Sequence, residues 1–338
     1  MRPKIPAEVL CKALKCSAVE CVPLTEDGSN RQYFRIIPTN RDSFILMQVN
    51  GQDAMDLQAG RYSWLVIGSL LLEEQVLVPR VHSIHSEFDS ILIQDFGDKT
   101  LDLRVAELDS SEISSLYRSA TSVLNTFLSI KPKNPSPWSQ RGFDFALLRR
   151  EMEFFKNQFL SEIPEFQNEK DQNLLSLDFD SLCQFIGKFP QYFTHRDYHS
   201  RNLLYHKSQI GVIDFQDARW GPAAYDLCSL AFDPYASLNL QTRRLIFQNA
   251  LDDLDTCFGK TLRSEVEESW RAVALQRFLK AIGSFAFLTK KGKRNYLSYI
   301  TPTLASLSEL MANETPWAYL VDNLIPRLLV KPSYEKTP

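Results

Sequence analysis

The stretch His195-Arg196-Asp197-Tyr198-His199-Ser200-Arg201-Asn202 sets a carboxylate and an amide five residues apart. A short apolar segment and a polar turn at 206–209 lead on to Gly211-Val212-Ile213-Asp214-Phe215. The pattern predicts a loop followed by a hairpin whose second strand ends on another carboxylate. This set of groups suits phosphoryl transfer. That reaction needs a base near the acceptor hydroxyl and hard oxygen ligands for the metal bridging the nucleotide phosphates. On this reading Asp197 is the base, Asn202 and Asp214 hold Mg²⁺, and a nucleotide is the donor. His195 and Arg196 brace the loop. His199 and Arg201, inside the loop, are candidate acceptor contacts. Beyond it, Asp217 either ligates a second ion, touches the acceptor or caps the next segment, and Arg219 and Trp220 could meet an acidic ligand by charge and stacking.

These residues need elements to hold them. Residues 1–19 read as a helix with Val9, Leu10, Ala13 and Leu14 on one face. Strands follow at 20–24, 32–37 and 43–49, the first two separated by the polar turn Thr25–Asn30 with its single Gly28. Residues 54–72 predict a helix, and 80–84 and 90–94 two more strands. After Gly97 the pattern turns helical. Apolar residues recur at helical spacing over 110–129, and Asp144 is placed to cap a helix running from Phe145 to about Phe159. Residues 131–140 and 161–173 read as loops, the second a polar surface loop. Leu275, Phe278, Leu279 and Ile282 form an apolar stripe expected to pack in a core. The expected division is a β-rich part at 1–95, a helical part at 96–330 that carries the catalytic loop, and a frayed tail at 331–338.

The combination H-x-D-x-x-x-x-N with a following I-D-F resembles the signature of small-molecule kinases of the protein-kinase-like superfamily, including aminoglycoside phosphotransferases and choline kinases. Phe215-Gln216-Asp217-Ala218, Gly221-Pro222 and Tyr225-Asp226-Leu227 are most similar to bacterial anomeric sugar kinases, which phosphorylate N-acetylmuramate and N-acetylglucosamine at C1 during cell-wall recycling. Arg31–Arg35, Glu151–Phe155 and Gln276–Lys280 carry further echoes, so the resemblance spans about residues 24 to 305. It implies an α+β, protein-kinase-like fold of two lobes, a small β-rich N-lobe and a larger, mostly helical C-lobe. It implies ATP and Mg²⁺ as cofactors and a small sugar as acceptor. It also implies that Asp226 holds the catalytic loop through backbone hydrogen bonds, that Gly28, Ser29 and Asn30 cover phosphates, and that Gln94, Asp95 and Phe96 meet adenine at the hinge. Asp95 reads equally well as a turn residue.

One departure stands out. Where such kinases carry Lys on the third strand, paired with Glu on the next helix, this chain has Met47 and Gln48, and no Glu follows before Glu73. The same gap is a feature of the anomeric sugar kinases it resembles. Arg31, Arg35 and Lys99 are the candidates to neutralise the α- and β-phosphates in place of that Lys, and read more readily as surface charges. An aminoglycoside or choline acceptor, or a nucleotide-binding pseudokinase, are the competing readings.

Composition excludes other classes. With 38 Lys and Arg against 41 Asp and Glu in 338 residues, the net charge is −3, which shows no bias toward nucleic acid or anionic membranes. The six cysteines include no C-x-x-C pair and read as reduced thiols. No signal peptide or spanning run is legible, so a cytoplasmic monomer is expected.

Overall fold

A computed structural model describes residues 2–24, 31–131, 138–311 and 316–330. Along the chain run α1 (Ala7–Leu14), β1 (Val19–Pro23), β2 (Gln32–Pro38), β3 (Phe44–Gln48), α2 (Gly51–Gln58), α3 (Ser63–Glu73), β4 (Val81–His85) and β5 (Ser90–Gln94). Next come α4 (Leu101–Val105), α5 (Ser110–Ser129), α6 (Phe145–Gln158), α7 (Glu169–Ile186), β6 (Tyr192–Thr194), β7 (Leu203–His206), β8 (Gln209–Val212) and β9 (Arg219–Gly221). The chain continues through α8 (Ala224–Ala231), α9 (Leu240–Phe258), α10 (Lys260–Lys290), α11 (Ile300–Met311) and α12 (Ile325–Val330). It divides into two compact units: Met1–Leu101 with Asn202–Asp217, and Asp102–Arg201 with Ala218–Pro338. The hairpin β7–β8 therefore groups with the N-terminal residues, whereas the sequence division placed it in the helical part.

In the N-terminal unit, five antiparallel strands lie in the order β1-β2-β3-β5-β4. Phe34, Leu46 and Leu92 fall opposite one another across three strands and pack with Ile5, Leu10 and Leu14. The helix expected over 1–19 is confined to Ala7–Leu14, because Pro6 starts it and Lys15 ends it in the left-handed conformation. The single helix expected over 54–72 is two, α2 and α3, separated at Gly60 with φ +69°. The hairpin is tied to this unit by Tyr205 N–H donating to Lys99 O at 2.8 Å and Val212 N–H to Leu77 O at 2.8 Å. Phe215, fully buried, lies 5.1 Å from the Trp64 ring and against Gly68, where a Cβ would come within 3.2 Å of it.

The helical unit is built on α10, 31 residues long, which packs against α6, α8, α9 and α11. Leu275, Phe278, Leu279 and Ile282 are all buried there, each contributing about 2 kcal/mol of apolar transfer. At Gly283 a Cβ would meet the Phe155 backbone at 2.8 Å, so the α6–α10 approach requires glycine. Among the described residues α10 is also the one helix long and apolar enough to cross a membrane by length and composition, but 61% of its most apolar window is buried, as in a core helix. Helix α5 starts on a capping box, with Asp109 accepting from Ser111 and Glu112 while Glu112 accepts from the Asp109 N–H. The Asp144 carboxylate caps α6 by accepting from the Leu147 N–H at 2.7 Å. The surface loop expected at 161–173 is instead two 3₁₀ turns, Leu160–Glu162 and Pro164–Phe166, followed by the start of α7. Ile163 and Phe166 are buried and anchor the turns, and Asn168 caps α7 through the Asp171 N–H.

Candidate active site

The loop carrying Asp197 lies in the helical unit and is pinned at both ends by buried carboxylates. Asp226 on α8 accepts from the backbone N–H of His195 at 2.6 Å and of Arg196 at 3.0 Å. Burial pushes its pKa up to about 6, against the pull of His195 and the two backbone donors toward the ionised form. At the other end Asp233 accepts from Ser200 N–H at 2.7 Å and from Tyr235 N–H at 2.8 Å. Between them Tyr198 is buried and donates to Ala120 O at 2.9 Å. His195 is buried against the Phe127 ring, and its Nδ1 accepts from the Asp197 N–H at 3.3 Å. Arg196 has φ +82°, a left-handed conformation costing about 1–3 kcal/mol for a non-glycine residue, of the kind that clusters at functional sites.

A charged cluster surrounds this loop. The Arg196 guanidinium donates to Glu151 on α6 at 2.7 Å, and Gln276 on α10 donates to the other Glu151 oxygen at 2.7 Å. Arg277 donates to the Arg196 carbonyl at 2.6 Å. Lys280 donates to Asp197 Oδ1 at 3.0 Å and lies 3.9 Å from Glu151. Burial opposes ionisation of Asp197, but Lys280, Arg196 and Arg277 outweigh it and hold the carboxyl well below the usual carboxylate range. Glu151 is held down in the same way, Lys280 and Arg196 outweighing its burial.

Of the candidate acceptor contacts in the loop, His199 stacks edge-on to Tyr235 at 5.0 Å, and burial pushes its pKa down to about 4. Arg201 sits among tyrosines, its guanidinium 4.1 Å from the Tyr235 ring centroid, donating to the Tyr299 hydroxyl at 2.7 Å and lying 3.6 Å from Asp102. Arg201, a candidate acceptor contact from the sequence, has its charge and face engaged by Asp102 and the aromatic rings. Arg219 on β9 lies over the Phe143 ring at 5.7 Å. Trp220 stacks on Trp138 at 5.8 Å and donates to Ser139 O at 2.7 Å.

The N-terminal unit holds the second group. Leu203 pairs with Val212 across the hairpin and Ile213 N–H donates to Asn202 O at 3.0 Å, so Asn202 and Asp214 come to the same end of it. Asp214 has φ +61° and a side chain that is 47% exposed, and it accepts from Gln216 at 2.8 Å. Gln216 is buried and also reaches the exposed Asp217 at 3.5 Å. A carboxylate and an amide oxygen at one hairpin end form a hard-donor set that fits Mg²⁺, which takes few protein ligands.

The same unit shows what accompanies the missing strand lysine. Met47 and Gln48 are buried, and Gln48 accepts from Lys4 N–H and donates to Gln32. Arg31 and Arg35, expected at the surface, are only 14% and 19% exposed. Each is drawn in by carboxylates. Arg35 is bound by Asp95 at 2.6 Å and Asp98 at 2.7 Å. Arg31 donates to Asp53 on α2 at 2.8 Å and lies 3.9 Å from Asp214. Lys99 is exposed. The side chain of Asp95 serves the turn, accepting from Arg35, Ser43 and the Gly97 N–H. Gln94 N–H donates to Arg80 O, and Phe96 is buried against Gly211 and His206. Gly28, Ser29 and Asn30 lie outside the described residues, as does the tail at 331–338.

Asp233 and Asp53 were not singled out from sequence, and Glu151, Arg277 and Lys280 entered only within the family echoes at 151–155 and 276–280, with no role assigned. Gln276 and Lys280 stand one helical turn apart, so a polar pair flanking buried Phe278 and Leu279 was the available signal.

A sequence model of the phosphotransferase enzyme family matches residues 20–256. The chain belongs to that family. It is 30% identical over 306 residues to the N-acetylmuramate/N-acetylglucosamine kinase of Pseudomonas putida, covering 88% of this chain and 85% of that protein. It is also 30% identical to the kinase of the same name from Pseudomonas aeruginosa, over 87% of this chain and 88% of the other. Among solved structures it is similar to choline kinase from Cryptosporidium parvum, with TM-score 0.60 at 13% identity, covering 90% of this chain and 92% of that one. An apo aminoglycoside phosphotransferase aligns with TM-score 0.57 at 14% identity, over 91% and 100%. An ADP-bound one aligns with TM-score 0.51 at 14% identity, over 80% and 97%. The fold is thus the protein-kinase-like fold of these phosphotransferases, with a small antiparallel sheet and a mostly helical remainder, and the protein is a phosphotransferase acting on an alcohol group.

Proposed function

We propose that this phosphotransferase moves the γ-phosphoryl group of ATP to the anomeric C1 hydroxyl of N-acetylmuramate and N-acetylglucosamine. The observation that carries the acceptor is the likeness, over more than four-fifths of both chains, to kinases named for those sugars. The site chemistry agrees. Arg196, Arg277 and Lys280 gather about Asp197, and a polycationic aminoglycoside would meet them unfavourably.

In this mechanism Asp197 orients the acceptor hydroxyl and takes its proton. A carboxylate held so far down on the pH scale is a weak base. The proton therefore moves late, once the forming O–P bond has acidified the hydroxyl, in keeping with a loose transition state. Asn202 and Asp214 would hold Mg²⁺, which would supply positive charge to offset that of the transferring phosphates. Arg31, oriented by Asp53, is the cation assigned to the nucleotide phosphates in place of the strand lysine. Arg35 is already bound by two carboxylates and Lys99 has an exposed side chain.

The test is an assay with ATP and Mg²⁺ in which N-acetylmuramate, N-acetylglucosamine, kanamycin and choline are offered separately, with ³¹P NMR on the products. A sugar 1-phosphate is expected. Phosphate on kanamycin or choline instead would overturn the acceptor, and ATP binding without any transfer would favour a regulatory pseudokinase.

A further inference from the structure

Lys280 lies within hydrogen-bonding distance of the reacting carboxylate; it ends the family echo at 276–280 but lies outside the loop motif, which assigns it no role. It comes from α10, more than 80 residues beyond Asp197 in sequence, and its ammonium lies 3.0 Å from Asp197 Oδ1 with the side chain only 15% exposed. Its neighbours have other tasks. Arg196 and Gln276 satisfy Glu151, and Arg277 holds the Arg196 carbonyl and lies over the Tyr225 ring at 4.8 Å. Lys280 therefore directs its charge at Asp197. We propose that Lys280 is the positioning residue for Asp197, fixing the carboxylate in one orientation and keeping it ionised until the acceptor hydroxyl gives up its proton.

The step balances without a further reactant. The acceptor oxygen forms a bond to the γ-phosphorus, the bond from that phosphorus to the bridging oxygen breaks, and its electron pair leaves with ADP. The hydroxyl proton passes to Asp197, and the ammonium of Lys280 keeps its own proton throughout. When Asp197 becomes neutral the Lys280 attraction to it is lost, so the pair resists early protonation and makes orientation the larger contribution of Asp197. Among the described residues, the groups facing Asp197 include Lys280 and Arg277 from α10, Arg196 and His199 from its own loop, Glu151 from α6, Tyr225 from α8 and Tyr235 beyond it. Lys280 is the first of the attractive charges among them.

This inference rests on the reading of Asp197 as the base, so its test includes a measurement that needs no turnover. With ¹³C-labelled aspartate, the Asp197 carboxyl resonance is identified by its loss in Asp197→Asn and titrated in the wild type and in Lys280→Met. The wild-type resonance should remain that of a carboxylate to the lowest pH at which the protein is folded. In Lys280→Met the midpoint should rise by one pH unit or more, about tenfold in proton affinity. In the kinase assay Lys280→Met should lower kcat by about 30- to 100-fold, leave the ADP Kd within threefold and move the acid limb of the profile upward, while Lys280→Arg restores most of kcat. Titration of wild-type Asp197 in the ordinary carboxylate range overturns the proposal, even if Lys280→Met fails to fold. So does a kcat within twofold of wild type, or a rise in KM confined to N-acetylmuramate, which would place Lys280 on the acceptor's carboxylate. A shifted titration in a protein that phosphorylates no sugar would sink the sugar-kinase reading and leave the pairing standing.

Discussion

Asp197 and Asp214 are two carboxylates of one proposed reaction in different local settings. Asp197 is neutralised in advance: a lysine stands 3.0 Å away, two arginines support it, and buried aspartates clamp its loop at either end. Asp214 is nearly half exposed, turned outward by a left-handed backbone, with an amide at 2.8 Å and the Arg31 guanidinium at 3.9 Å. The first arrangement suits a group that must hold one orientation and accept a proton late. The second suits a group that meets a hydrated cation, where full neutralisation in advance would compete with the ion. Two aspartates seventeen residues apart thus acquire different chemistry from their neighbours alone.

Four substitutions separate the two settings. Asp197→Asn should have the largest effect, lowering kcat by about 10³-fold while ADP binding and Tm stay near wild type. Retained turnover in a folded variant would remove Asp197 from the chemistry. Asp214→Asn should abolish the gain in ADP affinity that Mg²⁺ provides, about 10- to 100-fold by calorimetry, and leave metal-free ADP binding little changed. An equal loss with and without Mg²⁺ would make Asp214 structural. Arg31→Ala should raise the KM for ATP about tenfold without altering adenosine affinity, as expected for one lost charged hydrogen bond. A fall in adenosine affinity would assign Arg31 to the fold of the sheet.

The smallest effect concerns pH. Folded His199 stays neutral down to about pH 4, whereas the unfolded chain protonates near 6.5. Between those values the unfolded state binds more protons, so His199 costs stability as pH falls from 6.5 toward 4. Asp226, raised to about 6, acts in the opposite sense and loses stability as pH rises toward that value. The informative comparison is therefore between proteins. His199→Gln should lose about 1–2 kcal/mol less than wild type between pH 7 and 4.5 in urea unfolding. Parallel curves would show that His199 is solvated in the folded state.

The parts of this site closest together in sequence were the most legible. The H-R-D-x-x-x-x-N loop, the hairpin and the Asp144 cap are local arrangements; the Asp109 and Asn168 caps are equally local but were passed over. The sheet was readable because its strands are short segments carrying Val, Ile, Phe or Tyr and bounded by turns or helices. The roles of Lys280 and Glu151, which entered only within family echoes, and of Asp233 were not, since they depend on segments packed against a loop far away in sequence. Arg31 and Arg35 were misjudged for a related reason: a charged side chain reads as exposed until its partner is known, and Asp53 and Asp95 lie 22 and 60 residues further on. The 3₁₀ turns at 160–166 were obscured because two buried residues, Ile163 and Phe166, are few against many polar ones.

The discontinuous N-terminal unit has a consequence for synthesis. Its sheet is complete by Gln94, but Phe215, which packs against Trp64 and Gly68, is translated some 120 residues later. During that interval a nascent chain carries the finished sheet with an apolar seat on α3 unfilled, while the first helices of the other unit emerge. Hairpin docking is then a late, long-range closure, and loop-closure entropy makes such closures slow. The step that seats Phe215 is also the one that brings Asn202 and Asp214 into the N-terminal unit, so the polypeptide gains its proposed metal ligands and its last core aromatic together.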